Sequence, residues 1–439
     1  LDEVRLYDIV LSQIEIERLA QSDPLSEILA VEPSQRTAEQ TTWLFQRYAA
    51  QHDPAYRQAV AEQATLQAQR QQLEGQFPSS LVMQEAEGVK PAHVLVRGAY
   101  DKKGEMVQRN VPAILPPLAQ TEYVNRLDLA RWLVQNDHPL TARVTVNRWW
   151  QQLFGVGIVR TSEDFGSQGE WPSHPELLDW LACELVDSNW DVKHLMRLMV
   201  TSQTYCQTSH ASPETYRQDP ANRLLARGSR FRLDAEMVRD QALSLSGLLV
   251  PQVGGKSVRP YQPEGLWKAV GYTSSNTAVF QQEHGSKLYR RSLYTFWKRT
   301  SPPPAMQIFD APSREVCTVR RPRTNTPAAA LVLMNDVQFL EAARCFAERM
   351  LSSQSKPDQQ IRAGFQMATS RQPTADELDA LLQLYHILVE QYSAEPTAAN
   401  ALLSQGESER NEAFLPAEHA AMMLVANTIL NLDEVITRP

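Results

Sequence analysis

Residues 310–336 read DAPSREVCTVRRPRTNTPAAALVLMND, and the switch inside this stretch from a polar, proline-bounded loop to an apolar run decides the fold class. Thr326 is suited to accept a hydrogen bond from a free backbone N–H at a helix start. Pro327, at the first helical position, loses nothing by lacking one. The run AAALVLM continues through Phe339, Leu340, Phe346 and Met350 at helical spacing. Asn335 and Asp336 interrupt it, so at least one of them is expected to point inward. An unpaired buried polar group costs roughly 2–7 kcal/mol, and a charge more, so a partner is required. The nearest in sequence are Arg314, Arg320, Arg321 and Arg323, which share the loop with Cys317 and Asn325.

Outward from this stretch, 439 residues with 43% hydrophobic content suffice for about three domains with packed cores. A net charge of −8 provides no overall basic field, which argues against nucleic acid as a partner. No run of 18 apolar residues occurs, so no membrane span is expected, and no signal-peptide pattern is present. The chain opens LDEVRLYD without Met, which leads us to expect a segment cut from a longer protein. Cys183, Cys206, Cys317 and Cys345 form no C-x-x-C pair, so a zinc ribbon or haem-attachment motif is not expected. They are read as free, mostly buried thiols.

In chain order, residues 1–20 read as a strand with Val4 and Leu6 followed by a short helix. Residues 21–78 are rich in Gln, Ala, Glu and Arg and read as a helical linker or hairpin, with Asp53 and Pro54 starting its second helix. A partner-binding coiled coil is the alternative there, but heptads are not sustained. LVMQEAEG, AHVLVRGAY and EMVQ read as short strands joined by turns, with His93 structural rather than a ligand. Helices dominate residues 125–249. Ser173 and Glu176 stand at capping-box spacing, which makes Glu176 a cap rather than a catalytic acid, and Asp191 caps the following helix. KLYRRSLYTFWKRT, from Lys287, alternates aromatic and basic residues and is read as a half-buried strand after a hairpin near Gly285. Beyond Ser353 the chain is helical again, with a capping box at Thr374 and Glu377 and a polar, mobile segment at 393–412. The fold class is therefore mainly α with small β elements (α+β): a multi-helix domain carrying a short antiparallel β element, after a helical linker.

The motifs NRLDLARWLVQNDHPLTARVTVNRWWQQLFG, VRTSEDFGSQGEWPSHPELLDWLA, RLDAEMVRDQAL, FDAPSREVCTVRRPRTNTPAAALVLMND and LNLDEVITR, in this order, resemble the planctomycete module called domain of unknown function 1553. The resemblance covers residues 79–439. Residues 1–20 resemble the closing segment of a laminin-G-like, concanavalin-type jelly roll. Together these resemblances imply a secreted, periplasmic or cell-surface multidomain protein with a cytochrome c domain upstream. They imply no cofactor within this fragment, a haem only in that upstream domain, and the in-chain cytochrome c domain as a partner. The family carries no assigned activity, so no catalytic residue is transferred.

Three constellations carry the candidate chemistry. The first is the arginine loop, where Arg314, Arg320, Arg321, Arg323 and Asn325 are candidate ligand-binding residues for an acidic or sulfated polysaccharide or cell-surface glycan, since guanidinium forks match such oxygens. An internal arginine–carboxylate network pinning the loop is the blander account. The second joins Glu163, Asp164, His174 and Asp179 around a glycine-rich loop. Asp164, His174 and Asp336 are the catalytic candidates for a glycan-directed hydrolase, which needs paired carboxylates. The third is the aromatic and basic stretch Tyr289 to Lys298, a sugar platform or simply a packed face. No metal site is expected. An interaction or scaffold module is the leading expectation, and whether it is an enzyme stays open.

Overall fold

In the computed structural model, which describes residues 25–77, 79–84, 88, 90–119, 124–271 and 274–438, proline stands at the head of helix after helix: Pro54, Pro175, Pro213, Pro304, Pro327, Pro357, Pro396 and Pro416. Its fixed φ suits the first turn, where an N–H would have no partner. Among the described residues there are eighteen α-helices and two small two-stranded antiparallel sheets, so the protein is mainly α with small β elements. The strand read at residues 1–20 lies outside the described residues. Contacts divide the chain into two units after Val107.

The first unit holds helices α1 (Leu25–Ala30), α2 (Ala38–His52) and α3 (Pro54–Glu74). Thr37 and Gln40 cap α2 reciprocally, and the Asp53 carboxylate accepts from the Ala55 and Tyr56 amides to start α3. Strands β1 (Ala92–Leu95) and β2 (Lys103–Val107) form a hairpin that pairs His93 with Met106. Leu81–Gln84, read as a strand, is not part of a sheet.

The second unit begins with α4 (Arg126–Leu133), α5 (Thr141–Phe154), α6 (Pro175–Asp187), α7 (Val192–Val200) and α8 (Pro213–Gln218), then β3 (Phe231–Arg232), α9 (Ala235–Ser246), α10 (Leu266–Val270) and α11 (Pro304–Ile308). It ends with α12 (Pro327–Asn335), α13 (Val337–Ser353), α14 (Pro357–Thr369), α15 (Ala375–Ala394), α16 (Pro396–Leu403), α17 (Pro416–Leu430), α18 (Asp433–Ile436) and β4 (Thr437–Arg438). One core gathers Val146, Trp150 and Phe154 of α5, Leu178 and Leu185 of α6, and Leu195 and Met199 of α7. A larger one joins α13 to α17 through Phe346, Phe365, Leu381, Leu403 and Met422. Helix α17 is mostly apolar, buries ten residues from His419 to Leu430 on all of its sides, and sits at the centre of that bundle. Each large apolar side chain buried there contributes about 1.5–3 kcal/mol. A third cluster, Val238, Met306, Phe309, Leu333 and Phe339, packs α9, α11 and the helices that follow the arginine loop. Pairing of β3 with β4, Phe231 opposite Arg438, returns the C-terminal segment to the middle of the unit.

Several sequence expectations are corrected. Residues 287–300 form no strand but two 3₁₀ turns, Gly285–Tyr289 and Ser292–Tyr294. Consecutive Leu288, Tyr289 and Arg290 are all buried, which a period of two forbids. The buried Arg239 of α9 donates to the Leu288 and Arg290 carbonyls at 2.7 and 2.8 Å, taking the place of a ladder partner. The run after Pro327 is two helices, because Asp336 ends α12 and caps α13. Thr326 stands at the N-cap of α12 without a side-chain cap bond. Pro175 moves the start of α6 one residue on, so His174 is the N-cap, and Ser173 bonds the Ile158 carbonyl instead of closing a box with Glu176. The segment 393–412 contains α16, anchored by buried Ala399 and Leu403. The cysteines are free, yet Cys183, Cys206 and Cys317 are exposed and Cys345 alone is buried. Capping by Asp191 and by Thr374 with Glu377 is present as expected.

Candidate functional site

The site is built on α5. Asn147 points from this helix into the core, fully buried. Its amide donates to the Val159 carbonyl at 3.0 Å and accepts from the Val159 amide at 2.8 Å, so one side chain serves residue 159 as a neighbouring strand would. This clamp draws the GVG turn, Gly155–Gly157, onto the helix. A Cβ at Gly157 would lie 2.5 Å from the Val159 carbonyl and 2.7 Å from the Asn147 amide, so only glycine fits.

Over this turn lies a concavity of about 360 Å³, within the range of about 300–1,000 Å³ usual for small-molecule sites. Its lining includes Arg223, Arg227, Arg230, Arg323 and His174, and no described lining residue is an Asp or Glu. Arg223 donates to the Gly157 and Ile158 carbonyls at 2.8 and 3.0 Å, and Arg227 to those of Asp219 and Pro220 at 2.7 and 2.9 Å. Arg323 donates to the Gly155 carbonyl at 3.0 Å. Carbonyls orient a guanidinium without cancelling its charge. The nearest carboxylates, Glu170 for Arg223 and Asp234 for Arg323, stand at 3.9 Å, close enough to offset part of each charge but too far to accept a hydrogen bond and occupy a donor. Arg230 differs, being ion-paired with Asp433. Arg227 lies over the Tyr216 ring at 4.2 Å and Arg323 over Phe231 at 4.3 Å, which holds both planes in place. Burial lowers the Arg323 pKa, with Asp234 opposing and Arg321 adding to the effect.

The arginine loop beside this concavity is tied into the fold at each cation. Arg321 meets Glu236 of α9 with two hydrogen bonds, 2.6 and 3.2 Å. Arg320 donates to Glu163 at 2.7 Å, and Arg314 lies 4.4 Å over the Trp297 ring. Asn325 accepts from Arg232 at 2.9 Å. Asp310 accepts from the Thr324 amide and hydroxyl at 2.6 and 2.9 Å. Of the residues singled out from sequence, Arg323 and His174 line the concavity; Arg314, Arg320, Arg321, Asn325, Asp164 and Asp336 do not.

The catalytic candidates have separate roles. Asp164 accepts from the Gly166 amide at 2.7 Å and shapes the turn, while the His174 ring lies 3.0 Å from the Ser173 hydroxyl. Asp179 pairs with Arg143 at 2.6 Å. Asp336 caps α13 through the Gln338 amide. Burial raises its pKa, with Arg239 as the opposing charge rather than the upstream arginines. Asn335 is exposed and bonds the Leu331 carbonyl of its own helix. Sequence reading missed Arg223, Arg227 and Arg230. The only local signal for them is the run from Asn222 to Arg232, with an arginine at nearly every third position. No group of three or more His, Cys, Asp or Glu fit to hold a metal ion occurs among the described residues.

A family model, PSD1, protein of unknown function (DUF1553), matches residues 125–385 of this chain. No curated protein and no solved structure matches it.

Proposed function

This chain belongs to the DUF1553 family of proteins of unknown function, and we propose that it is a binding module for an anionic saccharide, taken by its carboxylate or sulfate in the concavity lined by the GVG turn. One observation carries the reading: Arg223, Arg227 and Arg323 converge there on backbone carbonyls, with no carboxylate among the described lining residues. Each guanidinium carries five N–H donors and spends one or two of them on the fold. The remaining donors, already oriented, match two oxygens of a carboxylate or sulfate. His174 at the N-cap of α6 adds the positive end of a helix to the same wall. A hydrolase would need two carboxylates flanking the scissile bond, so the lining favours binding. The setting we propose is that implied by the resemblance of the motifs: a secreted, periplasmic or cell-surface protein of planctomycete type, acting beside cytochrome c and laminin-G-like domains.

The test is calorimetric titration with galacturonate and with glucose 6-sulfate. Arg323→Gln is expected to lower affinity at least about tenfold, the equivalent of a charged hydrogen bond. Arg323→Lys retains part of it, and Arg362→Ala on α14 leaves it unchanged. Added salt weakens binding by screening. Failure of both probes to bind, or equal affinity in Arg323→Gln, refutes the reading.

A further inference from the structure

The wall of the arginine concavity has a second side. Ser173 donates its amide to the Ile158 carbonyl at 3.0 Å, so residues 157–159 and 171–175 run together as a thin septum. Along it, Gly157, Ile158, Ser173 and His174 face the first concavity, while Val159, Trp171, Pro172 and Pro175 face another of about 630 Å³. The chemistry of this second space differs. Trp171 is 88% exposed, a large ring left in water at considerable hydrophobic cost. Phe165, Leu140 and the two prolines extend an apolar floor around it, and Glu170 and Asp179 stand at its edge. Arg143 holds one oxygen of Asp179 at 2.6 Å, and the other meets no protein donor among the described residues.

A flat exposed ring beside fixed carboxylate acceptors suits a pyranose: its C–H face packs on the indole and its hydroxyls donate to the acids. An anionic group would avoid Glu170 and Asp179. Resting on the reading of the first concavity given above, we propose that the Trp171 cleft is a second subsite, which takes a neighbouring ring of the same saccharide by stacking on Trp171 and hydrogen bonding to Asp179. The ligand class is then an oligosaccharide with an acidic or sulfated ring on one side of the septum and an uncharged ring face on the other. Glu170 links the two spaces, lining the second while standing 3.9 Å from Arg223 of the first.

Galacturonate and a tetrasaccharide in which galacturonate alternates with an uncharged hexose, and glucose 6-sulfate with a glucan tetrasaccharide sulfated on alternate rings, provide the test. Trp171→Ala is expected to weaken tetrasaccharide binding about five- to tenfold and to leave the single rings unaffected, with Trp171→Phe close to the parent. Arg323→Gln weakens both lengths. Should Trp171→Ala bind tetrasaccharides like the parent while Arg323→Gln loses them, the second subsite is refuted and the first stands. If the parent protein binds none of the probes, both fall. The carboxylate and sulfate arms identify which anion the first concavity takes. Because the ring of Trp171 is exposed, its removal leaves the fold intact, which the melting temperature checks.

Discussion

Arg321 and Glu236 meet fork to fork, Nη1 to Oε2 at 2.6 Å and Nη2 to Oε1 at 3.2 Å, across 85 residues of chain. The pair ties the arginine loop to α9 and fixes the place of Arg323 two residues on. Burial alone would raise the Glu236 pKa; the hydrogen bonds and charge of Arg321 outweigh it, and the net shift is downward.

A depressed carboxylate pKa stabilises the fold above its unfolded value of 4.5, and the contribution is lost as pH falls through the folded value. Glu236→Gln is therefore expected to cost about 1–3 kcal/mol at pH 7 and progressively less below pH 4.5. Urea denaturation across pH 7 to 3 checks this. A gap between parent and variant that is independent of pH would contradict it.

Asn147 satisfies both the N–H and the C=O of Val159. Asn147→Leu orphans the Val159 N–H and leaves its C=O only the long bond from the Ser162 hydroxyl at 3.4 Å, and is expected to cost about 1–3 kcal/mol by chemical denaturation. Asn147→Asp costs at least as much, since an oxygen then faces the Val159 carbonyl. A loss below about 0.5 kcal/mol would show that the GVG turn holds without the clamp.

His419 of α17 is fully buried, and neither ring nitrogen makes a well-formed hydrogen bond. Burial first, then the Arg344 and Arg410 charges, lower its pKa to about 4, while the Arg344 carbonyl works the other way. Glu348, 3.5 Å away, is already engaged by Arg344. The unfolded chain thus binds a proton that the folded one refuses between pH 6.5 and about 4, and stability falls with pH through that window. From pH 7.5 to 5 the loss is about 2 kcal/mol. His419→Leu is expected to flatten that slope and to match or exceed the parent at pH 7.5; parallel profiles would contradict this.

Much of the helical framework is legible locally. The boxes at Thr374 and Glu377, the cap at Asp191 and the Asp53–Pro54 start all lie within a few residues of what they satisfy. The same kind of local reading failed at Ser173 and Glu176, where Pro175 shifted the helix start, and at 287–300, where burial of Arg290 among the carbonyls of Gln252, Gly254 and Lys256 breaks the alternation that the residue types suggest. In the arginine loop the residue types were readable but their partners were not. Arg321 pairs with Glu236 rather than with Asp336, and of the loop's cations Arg323 alone lines the concavity.

By itself the sequence determined most of the longer helices, their starts and their apolar faces, because capping and periodicity act over one or two turns. Only the tertiary structure decided which cations keep hydrogen-bond donors that no carboxylate takes up. That depends on whether a carbonyl or a carboxylate from a distant element arrives at each guanidinium, as Gly155 does at Arg323 from 168 residues away and Asp433 at Arg230 from 203. Coulomb interactions depend on distance in space, which is indifferent to separation along the chain.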